Sequence, residues 1–160
     1  MRVPAQALGW QRWLMAVNPD LAHEAGSESD LFPLPQAGET LILRREQIHF
    51  SADLGPQGTL FGVGAFYLTS TRIVFVCESQ ANRPDFKSFA ITLSELLNVA
   101  FQQPVFGANY LEGIVKPTDS FLVQPAKWSL QFRSGGCGTF LSVFYRLLGD
   151  QPRKQELVRA

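Results

Sequence analysis

The sequence predicts a mainly β domain, an open barrel of about seven antiparallel strands capped by a C-terminal α-helix. Three observations predict it. From residue 39 onward, apolar residues alternate with polar ones through short windows, the period of a half-buried strand. Successive windows are joined by turn residues with no helical insert, so neighbouring strands run antiparallel. Beyond residue 136 the period lengthens: Leu141, Phe144, Tyr145 and Leu148 recur at helical spacing, and Gly149 with Pro152 supplies the stop. A helix plugging one end of an open barrel covers the core and shelters the sheet edges together.

Each element follows from local pattern. Leu41, Leu43, Ile48 and Phe50 alternate in two phases, which predicts a first strand over about 39–51 with a bulge between Arg45 and Gln47. Gly55, Pro56, Gln57 and Gly58 close it with a loop. Residues 62–69 and 72–78, rich in Val, Ile, Phe and Tyr, form the next two strands around Thr69, Ser70 and Thr71. After a turn at Asn82, Arg83, Pro84 and Asp85, a fourth strand alternates through Phe89, Ile91 and Leu93. Strands over 99–104 and 110–115 then flank a corner at 106–109. Trp128, Leu130 and Phe132 alternate with Ser129, Gln131 and Arg133, and the turn at Ser134, Gly135 and Gly136 is expected to fold residues 137–140 back as a short partner strand.

Upstream, residues 1–38 read as an N-terminal extension. Trp10, Trp13, Leu14 and Val17 fall on one helical stripe before Asn18 and Pro19, which predicts a short helix over 5–17. Its apolar side would dock on the domain itself or, through Trp10 and Trp13, on a partner or a membrane surface. Residues 24–35 read as a linker, 39–151 as the domain, and 152–160 as a short tail.

Composition narrows the functional classes. The chain has 160 residues, with 14 Lys and Arg against 14 Asp and Glu, so no bulk field favours nucleic acid, and direct binding of nucleic acid is not expected. Two arginines against four acids make residues 1–38 net negative, and the remainder carries the matching positive excess. Two cysteines, Cys77 and Cys137, suit a reduced compartment, and no apolar run reaches the length that spans a bilayer. A cytoplasmic location is expected, with nuclear or peripheral membrane residence also open.

One stretch is more specific than its local physics requires: Gln103, Pro104, Val105, Phe106, Gly107, Ala108, Asn109 and Tyr110, followed by Gly113. It resembles the signature of the WW-domain-binding protein 2 family, and residues 64–75 resemble that family's paired-strand motif. The resemblance covers roughly residues 39–150 and implies a GRAM domain, a PH-like barrel. It also implies a non-enzymatic interaction module, an adaptor or transcriptional co-activator-like protein with a protein partner. That family carries Pro-Pro-x-Tyr motifs, which WW domains read as polyproline ligands. These 160 residues contain none, so direct WW-domain binding is not expected of them. In the motif itself, Pro104 is expected to end a strand, Gly107 and Asn109 to shape a tight corner, and Phe106 and Tyr110 to pack in the core.

Residues of catalytic type are sparse. His23 and His49 have no second ligand at metal spacing, neither cysteine has an activating neighbour, and neither a nucleophile elbow nor a phosphate-binding glycine loop is present. No enzyme and no cofactor are expected. The alternative function is capture of phosphoinositide headgroups, or contact with an anionic membrane surface, by Arg44, Arg45, Arg72, Arg83 and Lys87. Against it, the first loop, 53–58, holds Asp53 and no base.

Overall fold

The structure, a computed structural model, describes residues 16–23, 31–117 and 124–151. Seven strands form one antiparallel sheet: β3 (Leu41–Asp53), β4 (Thr59–Thr69), β5 (Arg72–Ser79), β6 (Ser88–Thr92), β7 (Leu96–Gln102), β8 (Tyr110–Val115) and β9 (Ala126–Phe132). Two short strands precede them, β1 (Leu21–His23) and β2 (Leu31–Pro33), and one helix, α1 (Cys137–Asp150), follows. The sheet order is β6-β5-β4-β3-β9-β8-β7. The expected curled sheet with a terminal helix is therefore what the chain adopts.

The curl depends on β3. Its register slips between Arg45 and Ile48, where Gln47 takes φ 53. Before the slip β3 pairs only with β4; after it, Ile48 through Asp53 pair with β4 on one side and β9 on the other. A bulge adds a residue to one strand and increases local twist, so the single long strand turns a corner and belongs to both halves of the sheet. Inside the curl, Phe50 stacks on Phe75 at 4.7 Å between centroids, and Phe66 meets Phe140 of α1 at 4.9 Å. Phe140 and Phe144 are fully buried, so the helix is the lid of the core.

Gly113 has a packing reason. A Cβ there would stand 2.8 Å from Cζ2 of Trp128, the buried indole that lies across β8. Only hydrogen at this position lets the ring approach the backbone so closely. The Trp128 Nε1 donor finds no partner among the described residues, an uncommon arrangement for a buried N–H.

Several expectations require correction. Residues 137–140 are not a strand but the first turn of α1. Gly135 (φ 75) and Gly136 (φ 78) both take left-handed conformations that redirect the chain, and Cys137, Phe140, Phe144 and Leu148 share the buried stripe. Leu31, Phe32 and Pro33, assigned to the linker, form β2 against β1 and help cover the outer face of β4, β5 and β6. Residues 5–15 of the expected helix, Trp10 and Trp13 among them, lie outside the described residues. Val17, expected on that helix, instead makes a β-bridge to Phe89 at the β6 edge. Asn18 reinforces the junction: its side chain accepts from the amides of Lys87 (2.8 Å) and Ser88 (3.1 Å) and donates to Asp85 O (2.8 Å). The β7 strand spans Leu96–Gln102 rather than 99–104, with a second bulge at Asn98 (φ 51).

Candidate functional site

A cleft lies where β2 crosses the outer face near the start of β3 and the end of β4. Phe32, Pro33, Pro35, Glu39, Leu41, Tyr67 and Thr69 line about 410 Å³ of it. Leu41 and Leu34 leave 59% and 42% of their surface in solvent, exposure that large aliphatic side chains gain nothing from in the fold itself.

A buried ion pair underlies the floor. Arg72 Nε donates to Glu39 Oε2 at 2.6 Å and Arg72 Nη2 to Oε1 at 3.1 Å, with side chains only 6% and 3% exposed. Thr69 Oγ1 donates to Glu39 Oε2 at 2.7 Å, the Gln36 amide to Oε1 at 3.0 Å, and Arg72 Nη2 also reaches Leu34 O at 2.9 Å. A charge pair taken from water is tolerated only when its remaining donors and acceptors are satisfied in this way. Burial alone would raise the Glu39 carboxyl, but hydrogen bonds from Arg72, Thr69 and the Gln36 amide, with the Arg72 charge, hold it below its ordinary value. Beside this pair Tyr67 donates to Leu31 O at 3.1 Å, tying β2 to β4. It accepts from Arg44 Nε at 3.1 Å, and the Arg44 guanidinium carbon lies 5.4 Å from its ring centre.

The five basic residues considered for phosphate contact do not form one patch. Arg72 is committed to Glu39. Arg44 pairs with Glu46 and Tyr67, and Arg45 donates to Gly136 O at 3.2 Å. Arg83 turns to Gln57 O in the loop beyond the far end of β3, and exposed Lys87 follows in that same region. Eight residues of strand separate Arg45 from Asp53, about 25 Å at ~3.3 Å per residue.

The family-motif residues divide. Tyr110 begins β8 half-buried, and Leu111 and Gly113 face the core. Phe106, expected inside, is 91% exposed, and Val105 beside it is 92% exposed. Gln103, Pro104 and Gly107 (φ 99) are exposed with them, whereas Ala108 and Asn109 are half-buried. The corner lies beyond the last paired rung of β7 and β8, Gln102 with Tyr110, so no neighbouring strand remains to cover its side chains.

Among the described residues no cluster of His, Cys, Asp or Glu could hold a metal ion, and no helix is long and apolar enough to cross a membrane. His49 occupies a shallow dish with Phe61, Tyr110, Ser129 and Gln131 on the outer face. Burial and the nearby Arg133 charge push its imidazole below the usual range. Burial likewise raises the thiols of Cys77 and Cys137, the opposite of nucleophile activation. The cleft was not visible to sequence reasoning because its walls come from residues 32 to 69; the apolar residues within the supposed linker were the only signal.

A curled β sheet closed by a terminal helix carries an open apolar cleft on its outer face. The chain is similar to postacrosomal sheath WW domain-binding proteins of Macaca fascicularis and Homo sapiens, 29% and 28% identical over 138 residues, 82% of this chain and 51% and 42% of theirs. A stress-induced protein of Schizosaccharomyces pombe is 34% identical over 86 residues, 53% of this chain and 48% of that protein. These relatives suggest the WW-domain-binding protein 2 family. The chain spans about half the length of the curated relatives it matches. No protein-family model matches it. Among solved structures, a chain of the 8S snRNP assembly intermediate shares the fold, with TM-score 0.50 and 11% identity, covering 74% of this chain and 87% of that one.

Proposed function

We propose that this domain is a non-enzymatic protein-interaction module, an adaptor or co-activator-like protein that seats a short apolar segment of a partner in the cleft beside Tyr67. The observation that carries this reading is the cleft itself: exposed Leu41 beside aromatic and proline walls, on a floor held by a buried ion pair. A preformed apolar site with a few polar groups is the usual form of a binding pocket. Relatives named for binding a protein domain support an interaction role.

Peptide display against the 160-residue chain, followed by NMR titration of the enriched sequences, tests the reading. Apolar peptides that perturb Leu41 and Tyr67 and lose binding in Leu41→Asp are expected. Enriched peptides that bind equally well to Leu41→Asp would contradict it. The phosphoinositide alternative has weaker support, since Arg72 is buried in its ion pair and Arg44 and Arg45 stand a strand's length from Arg83.

A further inference from the structure

Two apolar surfaces reach solvent, one convex and one concave. The convex one is the corner at 103–109, where Val105 and Phe106 are 92% and 91% exposed beyond the last rung of β7 and β8. Its form is set in advance: Pro104 has a fixed φ, Gly107 turns at φ 99, and Asn109 O accepts from the Phe132 amide at 2.9 Å. A projection held in this way loses little freedom when it is seated. No charged residue occurs from Leu96 through Leu111. The charges that flank the foot of the corner, Glu112 on β8 and Arg133 next to Phe132, are opposite in sign.

The concave one is the Tyr67 cleft. Its volume of about 410 Å³ falls among the roughly 300–1,000 Å³ of sites that enclose a small ligand, room for two side chains. Of its lining residues only Glu39 is charged, and Arg72 neutralises it in place; Arg44, bonded to Tyr67, is matched by Glu46. Seating the tip there strips water from no unpaired charge, while Phe106, Val105 and Leu41 leave solvent together. At their exposure Val105 and Phe106 do not occupy the cleft of their own chain, so the fit is made between copies. We propose that the occupant of the cleft is a second copy of this chain, whose Val105 and Phe106 enter beside Leu41, Pro33 and Tyr67. The inference rests on the reading of the cleft as a seat for an apolar segment and names that segment. Tip and cleft are different patches, so the contact is heterologous: it leaves one tip and one cleft free unless two copies exchange tips about a two-fold axis. Two side chains make a small interface, with a dissociation constant on the order of 100 μM.

The test is sedimentation velocity of the 160-residue chain at concentrations from about 10 μM to about 1 mM. Wild type is expected to sediment faster as concentration rises, and Val105→Ala/Phe106→Ala should weaken the association about tenfold or more. Phe106→Asp and Leu41→Asp should each sediment as monomers, with unchanged near-ultraviolet circular dichroism. An equimolar mixture of those two variants should associate again, because the intact cleft of one takes the intact tip of the other. If Leu41→Asp loses its fold, a synthetic peptide of residues 102–110 titrated into Phe106→Asp takes its place, and NMR shifts at Leu41 and Tyr67 are expected. Association that survives Phe106→Asp, or a mixture or peptide that restores no contact, would overturn the proposal. A wild type that stays monomeric throughout while display peptides still bind through Leu41 would overturn this proposal alone and leave the cleft to an unlike partner. Display peptides indifferent to Leu41→Asp would overturn the reading of the cleft along with it.

Discussion

The cleft beside Tyr67 and the tip at Val105 and Phe106 are both apolar surfaces of one sheet, built in opposite ways. The cleft draws its walls from three strands and rests on the buried pair of Glu39 and Arg72, so its residues hold the fold and shape the binding surface together. The tip stands on the last rung of a two-strand ladder and leaves its large side chains in solvent. The cleft's residues therefore also support the fold, whereas the exposed side chains at the tip do not. Substitutions should affect stability strongly at the cleft floor and hardly at all at the tip.

The largest effect is expected from Glu39→Ala, which strands the Arg72 guanidinium in a buried site. Urea unfolding should show a loss of about 3–5 kcal/mol, with most of it recovered when Arg72→Met is added. A loss below about 1 kcal/mol would mean that the pair is solvated and the cleft floor soft.

Gly113→Ala comes next. Its new methyl meets Trp128 at 2.8 Å, and overpacking of this kind costs about 1–3 kcal/mol. The near-ultraviolet circular dichroism of the indole should change with it; neither response would mean that β8 and Trp128 separate freely.

A graded effect should follow pH. The folded Glu39 carboxyl lies below its ordinary value of 4.5. Its ionised form is thus favoured by folding, and the stabilisation is fully present above that value and lost as pH falls through the lower folded one. Urea midpoints measured on descending from neutral pH should decline in wild type, and the part due to this group should be missing in Glu39→Gln. Equal slopes in the two proteins would remove the carboxylate from the account.

These contrasts also show what could be read from the chain. Alternation located β3, β6 and β9, β-branched and aromatic content located β4 and β5, and the two phases of β3 gave away its bulge, because period-two patterning records which face is buried at each step. The start of α1 was missed because two glycines suggested a hairpin, while the buried stripe through Cys137 and Phe140 already had helical spacing. Phe106 was misplaced for a related reason: patterning reports that a residue is apolar, and only the ladder shows that pairing stops at Gln102. The Glu39 and Arg72 pair joins residues 33 apart, and no local signal links an acid near a turn to an arginine at a strand start. The cleft inherits that difficulty, since it exists only once β2 has crossed the sheet.

The smallest effect carries the most direct test of the contrast: equilibrium urea unfolding of Val105→Ala/Phe106→Ala beside wild type. The account predicts unfolding free energies within about 0.5 kcal/mol of each other, the range of surface substitutions that touch no core. A loss of about 2 kcal/mol or more, the size expected when packed side chains are truncated, would contradict it by showing that the tip belongs to the fold and is not held in reserve for binding.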